Sequence, residues 1–255
     1  MDILAQIYQH KILEVRNRKK TLSLTDICAK IKCQDQPLNF YEALYKKQQN
    51  RQLGLICEIK RGSPSAGIIV DKIDVAAIAQ NYQNNHATCL SVLTDEKFFY
   101  SHDNFLKIAR VSSNLPILRK DFMVDKYQIY ESKMLGADCI LLIVAMLDDN
   151  KLQELEQVAL DLGLSVLIEV HDHQELNRAL KLKSKLIGIN NRNLKTLEID
   201  LETCKKLQKF VPQDYVIVCE SGIKNKEDIS DYQKNGVHCF LIGETLMRDA
   251  NKIFN

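Results

Sequence analysis

Short apolar runs recur along the chain, opening near Leu55, Cys89, Pro116, Cys139, Ser165, Leu186, Val216 and Cys239, at intervals of 21 to 34 residues. Runs such as LICEI, CLSVL, CILLIV, SVLIEV and VIVCE are continuous rather than alternating. That is the pattern of strands buried on both faces. Helical stretches lie between them. Asp148 is placed to cap a helix whose Leu152, Leu155, Ala159 and Leu162 share one face, with Gly163 after its end. Asp172 and Glu175 have the spacing of a capping box ahead of Leu176, Ala179 and Leu180. Asn225 opens a helix carrying Ile229 and Tyr232 that Gly236 closes, and Gly136 ends another over 125–135. Eight strands alternating with helices make either a closed (β/α)8 barrel or a doubly wound open sheet. The count, the spacing and the length of 255 residues favour the α/β TIM barrel.

Residues 1–50 stand apart from this repeat. Ile3, Leu4 and Ile7 form an apolar stripe, and Leu22, Leu24 and Ile27 predict a helix near 24–31. These residues read as an N-terminal helical extension packed on a barrel formed by 51–255. No Gly/Ser-rich linker separates the two, so a single domain is expected.

Composition narrows the class. With 35 Lys+Arg against 33 Asp+Glu the net charge is +2, which gives no bulk attraction to nucleic acid. Arg16, Arg18, Lys19 and Lys20 read as a solvated helix end. The stretch 1–20 lacks the compact apolar core of a secretory signal, and the longest apolar run, 139–147, is too short for a membrane helix. The 8 cysteines mostly sit inside apolar runs, where cysteine acts as a small hydrophobe; only Cys28 and Cys33 are close, with no second pair at zinc-ligand spacing. A cytoplasmic protein with free thiols is expected.

Barrel chemistry collects at the C-terminal ends of strands. In order those ends offer Glu58 and Lys60; Thr94 and Lys97; Arg119, Lys120 and Asp121; Glu169 and His171; Asn190, Asn191 and Arg192; Glu220 with Ser221-Gly222; and Gly243-Glu244. One charge at a strand end is commonly a structural ion pair. Two lysines and two carboxylates converging on one mouth would instead couple, and coupling tunes general acids and bases. Ser221-Gly222 and Gly243-Glu244 end the last two strands, where barrels commonly bind phosphate, and Lys60 and Ser63 would complete that cradle. Phe99 and Phe122 would sandwich a planar ring. His171-Asp172-His173 lacks the further ligands a metal needs, so no metal and no cofactor are expected. No Walker loop, GxGxxG or GxSxG is present.

The segments CEIKRGSPSAG (57–67), LSVLTDEKFF (90–99), PILRKDFMVDKYQIYESKMLGADCILLIVAML (116–147), LIEVHD (167–172), IGINNRNLKTLEID (187–200), ESGIK (220–224) and LIGETLMR (241–248) resemble those of indole-3-glycerol phosphate synthase of tryptophan biosynthesis. The resemblance implies a lyase that cyclises 1-(2-carboxyphenylamino)-1-deoxyribulose 5-phosphate with loss of carbon dioxide and water. It implies Lys120 as general acid and Glu169 as base or cation stabiliser, with Glu58 and Lys60 flanking the reacting centre. Asn190 and Arg192 would hold hydroxyls and orient a carboxylate. Ser63, Ser221, Gly222, Gly243 and Glu244 would form the phosphate end, Ser221 counting among the catalytic set as well, and Phe99 and Phe122 would border the anthranilate ring. The expected partner is a phosphorylated small molecule, without fusion to the isomerase of the preceding step. Two stretches depart from the family pattern: His86-Ala87-Thr88 stands where a small Gly-Ala turn is expected, and Tyr100-Ser101-His102 replaces a Gly-containing stretch. Two other readings remain at this point. One is a different phosphosugar barrel, an isomerase or a Schiff-base aldolase using Lys120; the other is an inactive barrel that serves as a binding partner. The intact Glu58, Lys60, Lys120 and Glu169 set argues against the last.

Overall fold

A computed structural model describes residues 3–194 and 196–254. Three helices come first: α1 (Ile3–Thr21), α2 (Leu24–Ile31) and α3 (Phe40–Gln49). Strand β1 (Gly54–Ile59) is followed by a small hairpin of β2 (Gly62–Ser63) and β3 (Gly67–Ile68). The chain then alternates: α4 (Val75–Asn84), β4 (Cys89–Leu93), α5 (Asp103–Ser112), β5 (Ile117–Lys120), α6 (Lys126–Leu135) and β6 (Cys139–Ile143). It continues through α7 (Asp149–Asp161), β7 (Ser165–Val170), α8 (His173–Ala179), β8 (Leu186–Asn190), α9 (Glu202–Leu207) and β9 (Val216–Glu220). Last come α10 (Lys226–Lys234), β10 (Cys239–Ile242), α11 (Glu244–Arg248) and α12 (Asn251–Phe254). Apart from the hairpin the strands close into one parallel barrel, with β10 hydrogen-bonded to β1. The eight apolar runs are the eight barrel strands.

Inward and outward side chains alternate along each strand, which divides the core in two. Ile56, Cys89, Leu118, Cys139, Leu167, Val216 and Cys239 fill the barrel interior, and Phe40 and Leu44 of α3 join that cluster from below. Helix α3 therefore plugs the N-terminal end of the barrel. The sequence pattern did not single it out. Leu90, Val92, Ile140, Ile168, Ile187 and Phe240 face outward against the helices. Truncating a side chain as enclosed as Phe40 costs about 3–5 kcal/mol. Cys57, Cys89, Cys139, Cys204, Cys219 and Cys239 are buried and all eight thiols are free.

Helix ends follow local chemistry. Asp148 and Asn225 cap α7 and α10, and Gly136 in the left-handed region closes α6. Asp172 caps α8 through the Glu175 N–H, but the reciprocal half of the expected capping box is absent. Glu175 accepts instead from the backbone N–H of His171, one residue before the cap.

The basic end of α1 is not simply solvated. Arg18 pairs with Glu14, Asp103 and Glu131, and Lys19 with Asp125. Two turns earlier, fully buried Lys11 lies 3.0 Å from Asp95 and 2.9 Å from Asp121. Asp95 Oδ1 accepts from the backbone N–H groups of Phe98 and Phe99, and Asp121 Oδ1 from that of Phe122. Each charge thus has several partners, which is what offsets the desolvation of so many ions. The network ties α1 to the segments that carry Phe99 and Phe122.

Both departures from the family pattern fall at strained backbone: His86 has φ +61° and Tyr100 φ +55°, in the left-handed region that costs an L side chain about 1 kcal/mol. His86 is exposed, in the turn between α4 and β4. His86→Gly is expected to raise the melting temperature by about 2–4 °C, allowing for the size of the chain. A calorimetric scan showing a lower value would mean that the imidazole makes a compensating contact.

Candidate active site

A cavity of about 430 Å³ opens at the C-terminal end of the barrel. Its wall carries Glu58, Lys60, Ser63, Phe99, Lys120, Phe122, Glu169, Asn190, Arg192, Glu220, Ser221, Gly222, Gly243 and Glu244. Every site residue expected from the sequence is therefore in one place. Ile3, Leu4 and Ile7 of α1 line it too, so the N-terminal stripe covers the mouth.

Lys120 and Arg119 are adjacent, and strand alternation sends them opposite ways. Arg119 is buried outside the barrel against Asp103, Asp121 and Glu131. Lys120 points inward, its ammonium 2.8 Å from Glu169 Oε2 and 2.9 Å from Glu220 Oε2. Glu169 Oε1 accepts from Asn190 Nδ2 at 3.1 Å. Asn190 Oδ1 in turn accepts from the Arg192 N–H, while the Arg192 guanidinium donates to the Leu197 carbonyl of its own loop. On the other side of the mouth Lys60 lies 2.8 Å from Glu58.

The two glutamates beside Lys120 differ electrostatically. Burial opposes ionisation of Glu169, but Lys120 and His171 outweigh it and hold this carboxyl well below the usual range. Burial dominates at Glu220 and, with the charge of Glu169 added, outweighs Lys120, so its pKa rises to about 7. Burial also disfavours the charge on Lys120, yet Glu169, Glu220 and Glu58 together hold the ammonium well above its ordinary value. A lysine cation, a glutamate anion and a second glutamate that keeps its proton up to about neutral pH thus share one enclosed corner. Glu220 sits at a strand end legible in the sequence, but the pairing that raises its pKa depends on the closed barrel.

Two glycines make room for these carboxyls. A Cβ on Gly188 would collide with Glu220 Oε1, and one on Gly243 with Glu58 Oε1 and, at 2.9 Å, with Lys60 Nζ. Gly222 has φ +87° and a Cβ there would meet Leu201 and Ile199. Around Gly222 and Gly243, the two glycines the sequence places at a phosphate end, the nearest crowding atoms are protein side chains. Ser221 is also left-handed, at φ +68°, which puts backbone strain at the serine of the Ser221-Gly222 turn in the cavity wall. The Thr245 hydroxyl donates to the Ile223 carbonyl at 2.6 Å and joins this turn to the start of α11. Glu244 pairs with Arg248 along the same helix, and Ser63 Oγ caps the Ala66 N–H. Phe99 and Phe122 do not leave a slot between them: their centroids are 5.8 Å apart at 42°, so they form one tilted wall.

The indole-3-glycerol phosphate synthase family model matches residues 4–254. The chain belongs to that family. It is 48% identical over 252 residues to the indole-3-glycerol phosphate synthase of Delftia acidovorans, covering 97% of this chain and 94% of the relative. The enzymes of the same name from Legionella pneumophila (strain Paris) and Azospirillum brasilense are each 47% identical over 250 residues, covering 98% of this chain and 95% of the relative. A solved tryptophan synthase subunit alpha from Legionella pneumophila superposes with a TM-score of 0.58 at 14% identity, covering 83% of this chain and 88% of its own, which speaks to the barrel fold alone. As a member of this synthase family the chain is a carboxy-lyase of tryptophan biosynthesis. It closes the indole ring of the carboxyphenylamino-deoxyribulose phosphate with loss of carbon dioxide and water.

The raised pKa of Glu220 has a measurable consequence. Between the unfolded value near 4.5 and the folded value of about 7, the folded state binds more protons at this position than the unfolded chain. Its contribution to stability therefore falls as pH rises through that window. In Glu220→Gln that loss disappears. The variant should melt higher than the wild type above pH 7, with the difference shrinking towards pH 4.5. A difference that is the same at both ends would show that Glu220 is ionised throughout.

Proposed function

We propose that Lys120 is the general acid of ring closure and that Glu169 accepts a proton later in the same reaction. The observation that carries this reading is the Lys120 ammonium held between two carboxyls, 2.8 and 2.9 Å away, inside the cavity. As the ring carbon attacks the substrate carbonyl, the carbonyl oxygen becomes an alkoxide. An alkoxide is a stronger base than a lysine amine, so even a tightly held ammonium proton transfers to it. Carbon dioxide then leaves, the hydroxyl takes a second proton, supplied by Lys60, and departs as water, and the carbon beside the ring nitrogen loses a proton. Glu169 is anionic beside Lys120, which suits it to take that proton or to steady the cation that precedes its loss.

Glu58 and Lys60 flank the reacting centre from β1, Lys60 also reaching substrate phosphate or carboxylate. Asn190 keeps Glu169 oriented and, with Arg192, holds substrate hydroxyls. Ser63, Ser221, Gly222, Gly243 and Glu244 form the phosphate end. The crowding at Gly243 adds to this: a side chain there would disturb Glu58 and Lys60 as well as phosphate. Phe99 and Phe122 border the anthranilate ring as one wall, with Ile3, Leu4 and Ile7 closing over it.

The chain works in this reading as one domain, because α3 plugs the barrel floor and α1 covers its mouth. It works as a monofunctional synthase in the cytoplasm. Eight free thiols fit a reducing compartment, and no helix among the described residues is long and apolar enough to cross a membrane.

Lys120→Met keeps the length of the side chain and removes its proton. Ring closure, followed by indole fluorescence, should slow by about 10²–10⁴. Circular dichroism should be unchanged, since Glu220 can take up a proton and Glu169 keeps Asn190 and His171. Near-normal turnover in a folded variant would remove Lys120 from the chemistry.

A further inference from the structure

One charged side chain reaches the site from outside the cavity. His171 follows β7 directly, and its ring is anchored from behind by the first turn of α8. Glu175 Oε2 accepts from the His171 backbone N–H at 2.8 Å and lies 2.9 Å from Nδ1. The opposite ring nitrogen, Nε2, is 3.2 Å from Glu169 Oε1, a charge contact without the alignment of a hydrogen bond. Charges therefore alternate from the rim inward through Glu175, His171, Glu169 and Lys120, and the row ends on the carboxyl of Glu220.

We propose that His171 is a positioning residue for Glu169, keeping its carboxylate charged and turned towards Lys120, so that the proton shared by the two glutamates around Lys120 resides on Glu220. The inference rests on the role proposed for Glu169. Lys120 cannot make this choice, because it stands at 2.8 Å from one glutamate and 2.9 Å from the other. What differs is the far oxygen of each. Glu169 Oε1 meets His171 and the Asn190 amide, whereas Glu220 Oε1 has no hydrogen-bond partner among the described residues and lies over Gly188. Burial would strip the charge from the imidazole, but Glu169 and Glu175 push its pKa up to about 10, so it stays cationic through the neutral range.

The ionisable groups facing the ring are Glu169 from β7 and Glu175 from α8, with Lys120 of β5 and Glu220 of β9 behind Glu169. Among the described residues no other cation takes its place. Arg178, on α8, is committed to Asp149 and to the carbonyls of Val144 and Leu147, and His173 to Asn177.

The test is the pH dependence of kcat in wild type, His171→Gln and His171→Lys, with Glu169→Gln alongside. Without the cation, Glu169 should take up its proton at higher pH. In His171→Gln the acid limb of kcat should then move up by about one unit or more, a roughly tenfold loss below the limb that is recovered above it, with KM changing less. His171→Lys should bring the limb back. A carbon-13 titration of the glutamate carboxyls in substrate-free protein gives the same reading without turnover: the Glu169 titration should rise in His171→Gln. A uniform loss of kcat at every pH, or a Glu169 titration that does not move, overturns the proposal. Glu169→Gln separates the two ideas. If that variant keeps its kcat, the role of Glu169 falls; if it is inactive while the limb in His171→Gln stays fixed, only the role of His171 falls.

Discussion

Side chains on a strand alternate, and a closed barrel turns that alternation into a choice between two interiors. Along the strands the inward set fills the barrel and the outward set packs on helices, so both are apolar. The charged inward groups come only at the last residues before the C-terminal rim. Arg119 and Lys120 show how sharply this constraint acts: neighbours in sequence, both long cations, they end in separate networks on opposite sides of the same sheet. The outward network binds α1, α5 and α6 to the barrel, and the inward one faces the cavity. Everything else about the site follows from which side of the sheet a residue falls on.

The inward network is electrically tight. Two carboxyls and one ammonium sit where water cannot screen them, and two glutamates cannot both remain charged around a single lysine at no cost. One of them consequently keeps a proton to about neutral pH. Space is as constrained as charge, because Gly188 and Gly243 leave bare backbone where the carboxyls of Glu220 and Glu58 lie. Stability is given up here for chemistry, and the packed plug of α3 and the ion pairs of α1 offset it elsewhere.

Much of this was legible in the sequence because buried parallel strands announce themselves as continuous apolar runs. The strand ends followed from the runs, and the resemblance then selected Glu58, Lys60, Lys120, Glu169 and Asn190 from among them. What escaped was non-local. Arg18 reads as a surface charge and nothing singles out Lys11, because their partners Asp95, Asp121, Asp103 and Glu131 are scattered far along the chain. Phe40 and Leu44 are too short an apolar set to mark α3 as a plug. Glu175 has capping-box spacing, yet a histidine one residue before the cap competes for it. The tilt of Phe99 on Phe122, and the atoms that crowd Gly222 and Gly243, depend on loop geometry that no local pattern encodes.

The pairing of β1 with β10 joins residues near the beginning of the barrel to residues near the end of the chain, Cys57 opposite Ile242. During synthesis, Glu58 and Lys60 emerge long before Gly243, the residue against which they finally rest. Contacts this distant in sequence close late, since the loop entropy must be overcome before any reward arrives. The open sheet meanwhile exposes two unpaired edges and an uncovered interior, and it is in this interval that the nascent chain is most prone to aggregate. A ribosome-bound chain that stops short of β10 would hold nearly every charged group of the site and still lack the wall that brings them together.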